Sequence, residues 1–190
     1  AFKTQYLPAF VRLSNFHQTK PEQSLRDLVA TALTVSIAGY SFVEPYQIGG
    51  FDLQPSDEVF IRWVQATTLM PRMAFAYAPW VFTNHTAKVL GVTLHVIALA
   101  KKRVQHGSPV IRPMWYAAPD DSRAYSINDQ FMLGDDIVVA PVLVVGQRER
   151  AVYLPDGQWT DETGAQYTGP AVIKVVAQLD QLPYFKRVMP

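Results

Sequence analysis

Phe131-Met132-Leu133-Gly134-Asp135-Asp136-Ile137-Val138-Val139-Ala140-Pro141-Val142 is followed shortly by Val152-Tyr153-Leu154-Pro155-Asp156-Gly157-Gln158-Trp159. The first stretch places a Gly-Asp-Asp turn between an apolar run and a β-branched strand that ends at Pro141; the second reads as a hairpin turning at Asp156-Gly157. With further turns at Gly146-Gln147 and Gly164, short strands recur from Gln130 onward at a spacing of roughly ten residues, which predicts a β-sandwich.

Before Pro109 the pattern differs. Phe10-Val11-Arg12-Leu13 reads as a buried strand, Ser24 as the cap of a helix from Leu25 towards Ala38, and Phe42-Val43-Glu44 as a second strand ended by Pro45. Ser56 caps an amphipathic helix through Phe60, Trp63, Val64 and Thr67, and Arg72 to Tyr77 is a third strand candidate. A long helix opens at Thr86, repeats Val89, Val92, Val96 and Leu99 at helical spacing, and closes near His106-Gly107. Strand and helix alternating three times is the signature of parallel βα units. The fold class is therefore α/β plus all-β. Residues 1–110 form βα units that are incomplete alone, and 111–190 form a linker and the carboxy-terminal β-sandwich. Because parallel strands need cover on both faces, three βα units call for a further chain or fragment to complete their sheet.

The 190 residues are 49% hydrophobic and 17% charged with a net charge of +1, which leaves no field for nucleic acid or anionic lipid. Lys101-Lys102-Arg103 is explained by the solvated end of a helix. With no cysteine there is neither a disulfide nor a thiolate metal site, and His85, His95 and His106 share no ligand spacing, so no metal or cofactor is expected. Leu28 to Val43 carries no charge but is too short and too polar to span a bilayer. Asn84-His85-Thr86 is a glycosylation sequon, which points to a secreted protein or one of the secretory-pathway lumen.

Taken in order, Ile48-Gly49-Gly50-Phe51, Glu58-Val59-Phe60-Ile61-Arg62-Trp63-Val64-Gln65, Met70-Pro71, Arg112-Pro113 and Asp129 to Asp135 leading into Val139-Ala140-Pro141-Val142 resemble glycoside hydrolase family 31. The resemblance covers the chain from about Phe10. It implies the carboxy-terminal portion of a (β/α)8 TIM barrel, its last three βα units, followed by the first β-sandwich. Within the family, Ala74-Phe75-Ala76-Tyr77-Ala78-Pro79-Trp80 resembles the branch that includes the myogenesis-regulating glycosidase.

The resemblance also sets expectations for chemistry. Retaining glycosidases use two carboxyl groups about 5 to 5.5 Å apart. The family's nucleophilic Asp follows an earlier barrel strand, and its acid/base Asp belongs in the loop after Phe10 to Leu13. That loop, Ser14 to Gln23, has no Asp; Glu22 is the substitute carboxylate, at a place where a Glu equally suits a helix dipole, and His17 is a second proton donor. Arg12 has two readings, a fork on the sugar or an ion pair with a neighbouring strand acid. Where the family carries an Asp before Ile48-Gly49-Gly50, this chain has Tyr46-Gln47, leaving Gln47 and Glu44 as substrate-binding candidates. Trp80 and Tyr77 either stack on a sugar face or pack in the core. Asp120-Asp121 and Asp135-Asp136 are structural turns, with no catalytic role assigned.

The expected function is a catalytically impaired carbohydrate- or protein-binding homologue of the glycosidases, its barrel completed by an N-terminal chain. The alternatives are an active retaining α-glucosidase or α-galactosidase completed in the same way, and a structural or storage protein. The oligomeric state is open.

Overall fold

The computed structural model describes residues 9–13, 20–50, 53–78, 81–82 and 108–188. His17, Trp80, Asn84, Lys101-Lys102-Arg103, the three histidines from His85 to His106 and the helix expected from Thr86 lie outside them.

β1 (Phe10–Arg12) and β2 (Phe42–Glu44) pair in parallel, in the register Phe10 to Phe42, Val11 to Val43 and Arg12 to Glu44. α1 (Pro21–Ile37) makes the crossover between them. It begins earlier than Ser24 predicts: Lys20 is the extended N-cap residue and Pro21 opens the helix, while Ser24 is buried inside it. Proline lacks the N–H that a first turn leaves unpaired, and its fixed φ suits that position. α2 (Asp57–Thr68) starts at Ser56, whose side chain accepts from the Val59 N–H at 3.4 Å. The third strand expected over Arg72 to Tyr77 shrinks to one parallel bridge, Ile48 to Phe75, held by Ile48 N–H to Ala74 O at 2.7 Å and Ala76 N–H to Ile48 O at 3.0 Å.

The second half is a six-stranded antiparallel sheet, apart from its turns and two short helices. β3 (Ile111–Arg112), β4 (Phe131–Leu133), β5 (Ile137–Val139), β6 (Glu149–Thr160), β7 (Gln166–Val176) and β8 (Tyr184–Arg187) lie in the order β3-β4-β5-β8-β6-β7. The linker expected after residue 110 holds α3 (Met114–Ala117) and a 3-10 turn, Ser122–Ser126. Met132 and Val138 share a core with Val152, Leu154 and Trp159 although β4 and β5 are not paired with β6, so the sheet curls over itself into a sandwich.

Asp156-Gly157 is not a hairpin turn. β6 runs unbroken through it, with a bulge between Leu154 and Gly157, and the chain reverses at 161–164 instead. Pro155 has no N–H to give the ladder, which favours a bulge there. Gly157 has φ +123, and a Cβ on it would collide with the Arg187 guanidinium. Trp159, fully buried, closes the bulge by donating its indole N–H to Pro155 O at 2.8 Å, and the Arg187 guanidinium lies 4.3 Å over its ring.

One apolar core runs through both halves. Val29, Leu33, Val43, Phe60, Trp63 and Val64 pack in a single cluster with Ile111, Phe131, Leu133, Val139 and Leu143. Ser36 adds a buried hydrogen bond from α1 to Ile111 O at 2.8 Å. No helix among the described residues is long and apolar enough to cross a membrane.

Candidate functional site

Alternation along β1 and β2 divides their side chains between two faces. Val43 is buried in the core beneath the helices, whereas Phe10, Arg12, Phe42 and Glu44 share the other face. In a (β/α)8 barrel that face lines the interior, and chemistry sits at the carboxyl ends of the strands.

Arg12 and Glu44 stand at those ends, opposite one another in the ladder. Their side chains pair, Arg12 Nε to Glu44 Oε1 at 3.4 Å, and Arg72 Nε reaches Glu44 Oε2 at 3.0 Å. Glu44 is 7% exposed, and the two guanidinium side chains are 53% and 52% exposed, so one buried carboxylate carries two half-exposed cations. The Arg72 guanidinium also lies 5.2 Å over the Phe10 ring, which is itself 5.6 Å from Phe42. Of the two readings of Arg12, the ion pair with a neighbouring strand acid is the one observed. Arg72 had no signal beyond its charge, since it lies in a segment read as strand.

Tyr46 fills the place of the expected Asp without reproducing it. It is 7% exposed, lies in the core cluster, and its hydroxyl is 3.5 Å from Thr31 Oγ1 on α1. Gln47 is half-buried beside it and accepts from the Gly50 N–H at 3.1 Å through its main-chain oxygen. Gly49 has φ +99, and a Cβ there would lie 2.8 Å from Tyr77 Cδ2, so the turn after Gln47 requires glycine. Tyr77 meets the Phe82 ring edge-on at 6.3 Å. Glu22 is exposed in the first turn of α1, where its charge complements the helix dipole.

One carboxylate of each adjacent Asp pair is held by a neighbour. Asp121 accepts from Arg123 and from the Tyr153 hydroxyl at 2.8 Å; these bonds, Arg123 first, hold its carboxyl below the usual range. Burial, then Asp121, pushes the Tyr153 hydroxyl up to about 12. Asp135 pairs with Arg112. No group of three or more His, Cys, Asp or Glu among the described residues is placed to hold a metal ion.

Two family descriptions match the sequence. "Glycosyl hydrolases family 31 TIM-barrel domain" matches residues 18–97, and "Glycosyl hydrolase family 31 C-terminal domain" matches residues 107–188. The chain is 33% identical to the myogenesis-regulating glycosidase of Mus musculus, over 97% of this chain and 29% of that protein. It is 35% identical to the SITS-binding protein of Tetronarce californica, over 87% of this chain and 26% of that one. Among solved structures it superposes on a GH31 alpha-xylosidase from a soil metagenome, complexed with xylose, with a TM-score of 0.81 and 29% identity, covering 93% of this chain and 32% of the xylosidase. The chain thus spans under a third of the length of these relatives. Both family domains match in sequence, one on the βα part and the other on the antiparallel sheet, and together with the 33% identity over nearly the whole chain they show that the chain belongs to glycoside hydrolase family 31.

Proposed function

We propose that this chain forms the last walls of a carbohydrate-binding cleft in which hydrolysis is impaired, the rest of the barrel coming from preceding residues or from a separate chain. The observation that carries this reading is the Arg12–Glu44–Arg72 cluster at the strand ends. Both oxygens of the Glu44 carboxylate are engaged by guanidinium groups, which ties it to its neighbours and away from a scissile bond. The two half-exposed guanidiniums suit sugar hydroxyls. Tyr46, turned into the core, adds no negative charge where an oxocarbenium-like transition state would need it. Gln47 and Trp80 are the further ligand contacts in this reading, and Glu22, in the first turn of α1, and His17 are the proton donors left to it. One relative is named for binding rather than for hydrolysis.

The test uses the chain together with the polypeptide that completes its barrel. Isothermal titration with glucose, galactose and their α-linked disaccharides should give saturable binding that Arg12→Ala weakens about tenfold or more, and 4-nitrophenyl α-glucoside and α-galactoside should stay intact. Release of 4-nitrophenol that Glu22→Gln or Glu44→Gln abolishes would establish an active glycosidase instead. Neither binding nor turnover would favour a structural role. The Asn84 sequon supports a secretory route, checked by a loss of mass on treatment with an N-glycan-cleaving amidase.

A further inference from the structure

The family-like stretch from Glu58 to Gln65 has no part in the strand-end cluster, yet it holds the most completely buried charge described. Arg62 is 0% exposed. Its Nη1 donates to Gln65 Oε1 at 3.0 Å, Gln178 O at 3.0 Å and Gln181 O at 3.4 Å, and its Nη2 to Gln147 O at 3.1 Å and Ala177 O at 2.8 Å. Gln65 Nε2 donates to Leu179 O at 2.7 Å, and Glu58 accepts from Gly146 N–H and pairs with Arg148. Glu58, Arg62 and Gln65 lie four and three residues apart, hence on one face of α2, and that face is fixed to two loops of the sheet domain. Burial, the largest cause, pushes the Arg62 guanidinium down to about 10 and the Arg148 charge adds to this, while Glu58 and Asp180 oppose it, so Arg62 stays charged at neutral pH.

Phe60 is two residues away, roughly 200° around the helix. Its ring stacks on Phe82 at 3.8 Å and lies 6.3 Å from Phe75, and it is 3.6 Å from where a Cβ on Gly49 would stand. Residues 59–70 of this segment are buried all round, so the helix has little slack between the two contacts.

We infer that Arg62 is a positioning residue: α2 is a rigid strut through which the sheet domain holds the turn after Gln47 in place, so the strand-end site depends on the sandwich although no sandwich residue need enter it. The inference holds whether the site binds or hydrolyses. It assigns the sandwich the role of an internal buttress and Arg62 the role of its anchor.

The test is amide hydrogen exchange on the chain carrying Arg62→Ala, together with the polypeptide that completes its barrel, with chemical rescue. The Ile48 and Ala76 amides, bonded across the bridge, should exchange about tenfold faster or more, while the Ala140 amide and those of the β6–β7 ladder change by less than about twofold. Millimolar ethylguanidinium, filling the vacated site, should restore protection where ethylammonium at equal ionic strength does not. Gln65→Ala, which removes only the Leu179 bond, should move the same two amides less, in the same direction. Unchanged Ile48 and Ala76 protection in either variant, equal acceleration of the sheet amides, or rescue by both cations would overturn the inference. If Arg62→Ala does not fold, the Gln65→Ala result decides.

Discussion

Arg62 on α2 is sealed from solvent and bound by main-chain oxygens of the sheet domain, whereas Arg12 on β1 is half exposed and shares a single carboxylate with Arg72. Desolvating a guanidinium costs several kcal/mol, which close acceptors offset. Four carbonyls from two loops and Gln65 Oε1 serve both Nη atoms of Arg62, while its buried Nε has no partner among the described residues. The strand-end arginines keep much of their hydration and contribute little to folding. Charge sealed inside the structure is thus separated in space from charge that is half exposed at the strand ends.

The sharpest way to break this contrast is Arg62→Met, which preserves bulk and strands the acceptors; unfolding by urea should show a loss of about 3 kcal/mol. Gly49→Ala, forced against Tyr77 at positive φ, should cost about 2 kcal/mol in the same measurement. Glu58→Gln should cost about 1 kcal/mol at neutral pH, and the pH dependence gives its sign. The hydrogen bond from Arg148, first among the causes, lowers the Glu58 carboxyl below its ordinary value near 4.5, although burial opposes it. Its contribution is therefore complete above about 4.5 and lost as the pH falls through the lower folded value, so thermal melts between pH 6 and 3 should show a smaller acid-induced drop in Glu58→Gln than in the parent. Arg72→Ala should move stability least, by under about 1 kcal/mol and less still in high salt, while changing sugar affinity. A large stability loss there would erase the distinction between the two clusters.

Local chemistry made most of the barrel walls legible. Phe10 to Arg12 and Phe42 to Glu44 are short apolar strands with clear stops, and Ser56 caps α2 as its sequence indicates. Errors arose where two local signals competed. Ser24 resembles an N-cap, but Pro21 already satisfies the first turn. Asp156-Gly157 resembles a hairpin turn, but Pro155 and the Trp159 indole favour a bulge within a continuous strand. Glu58, Arg62 and Gln65 lie at helical spacing, and a polar stripe of that kind normally faces water; only the sheet domain, far along the chain, turns it into a buried joint. The same holds at the site. Glu44 and Arg12 could be proposed from strand ends, but that Arg72 completes the cluster depends on a contact with Glu44 that no local pattern encodes.

The apolar cluster that includes Phe60 and Trp63 continues through Val110 and Ile111 into Phe131 and Val139 without a break. The peptide linkage just before Val110 is therefore a tether between parts already adhering to one another. A protease cutting at 108–109 would yield two fragments on a denaturing gel and a single particle on a native one.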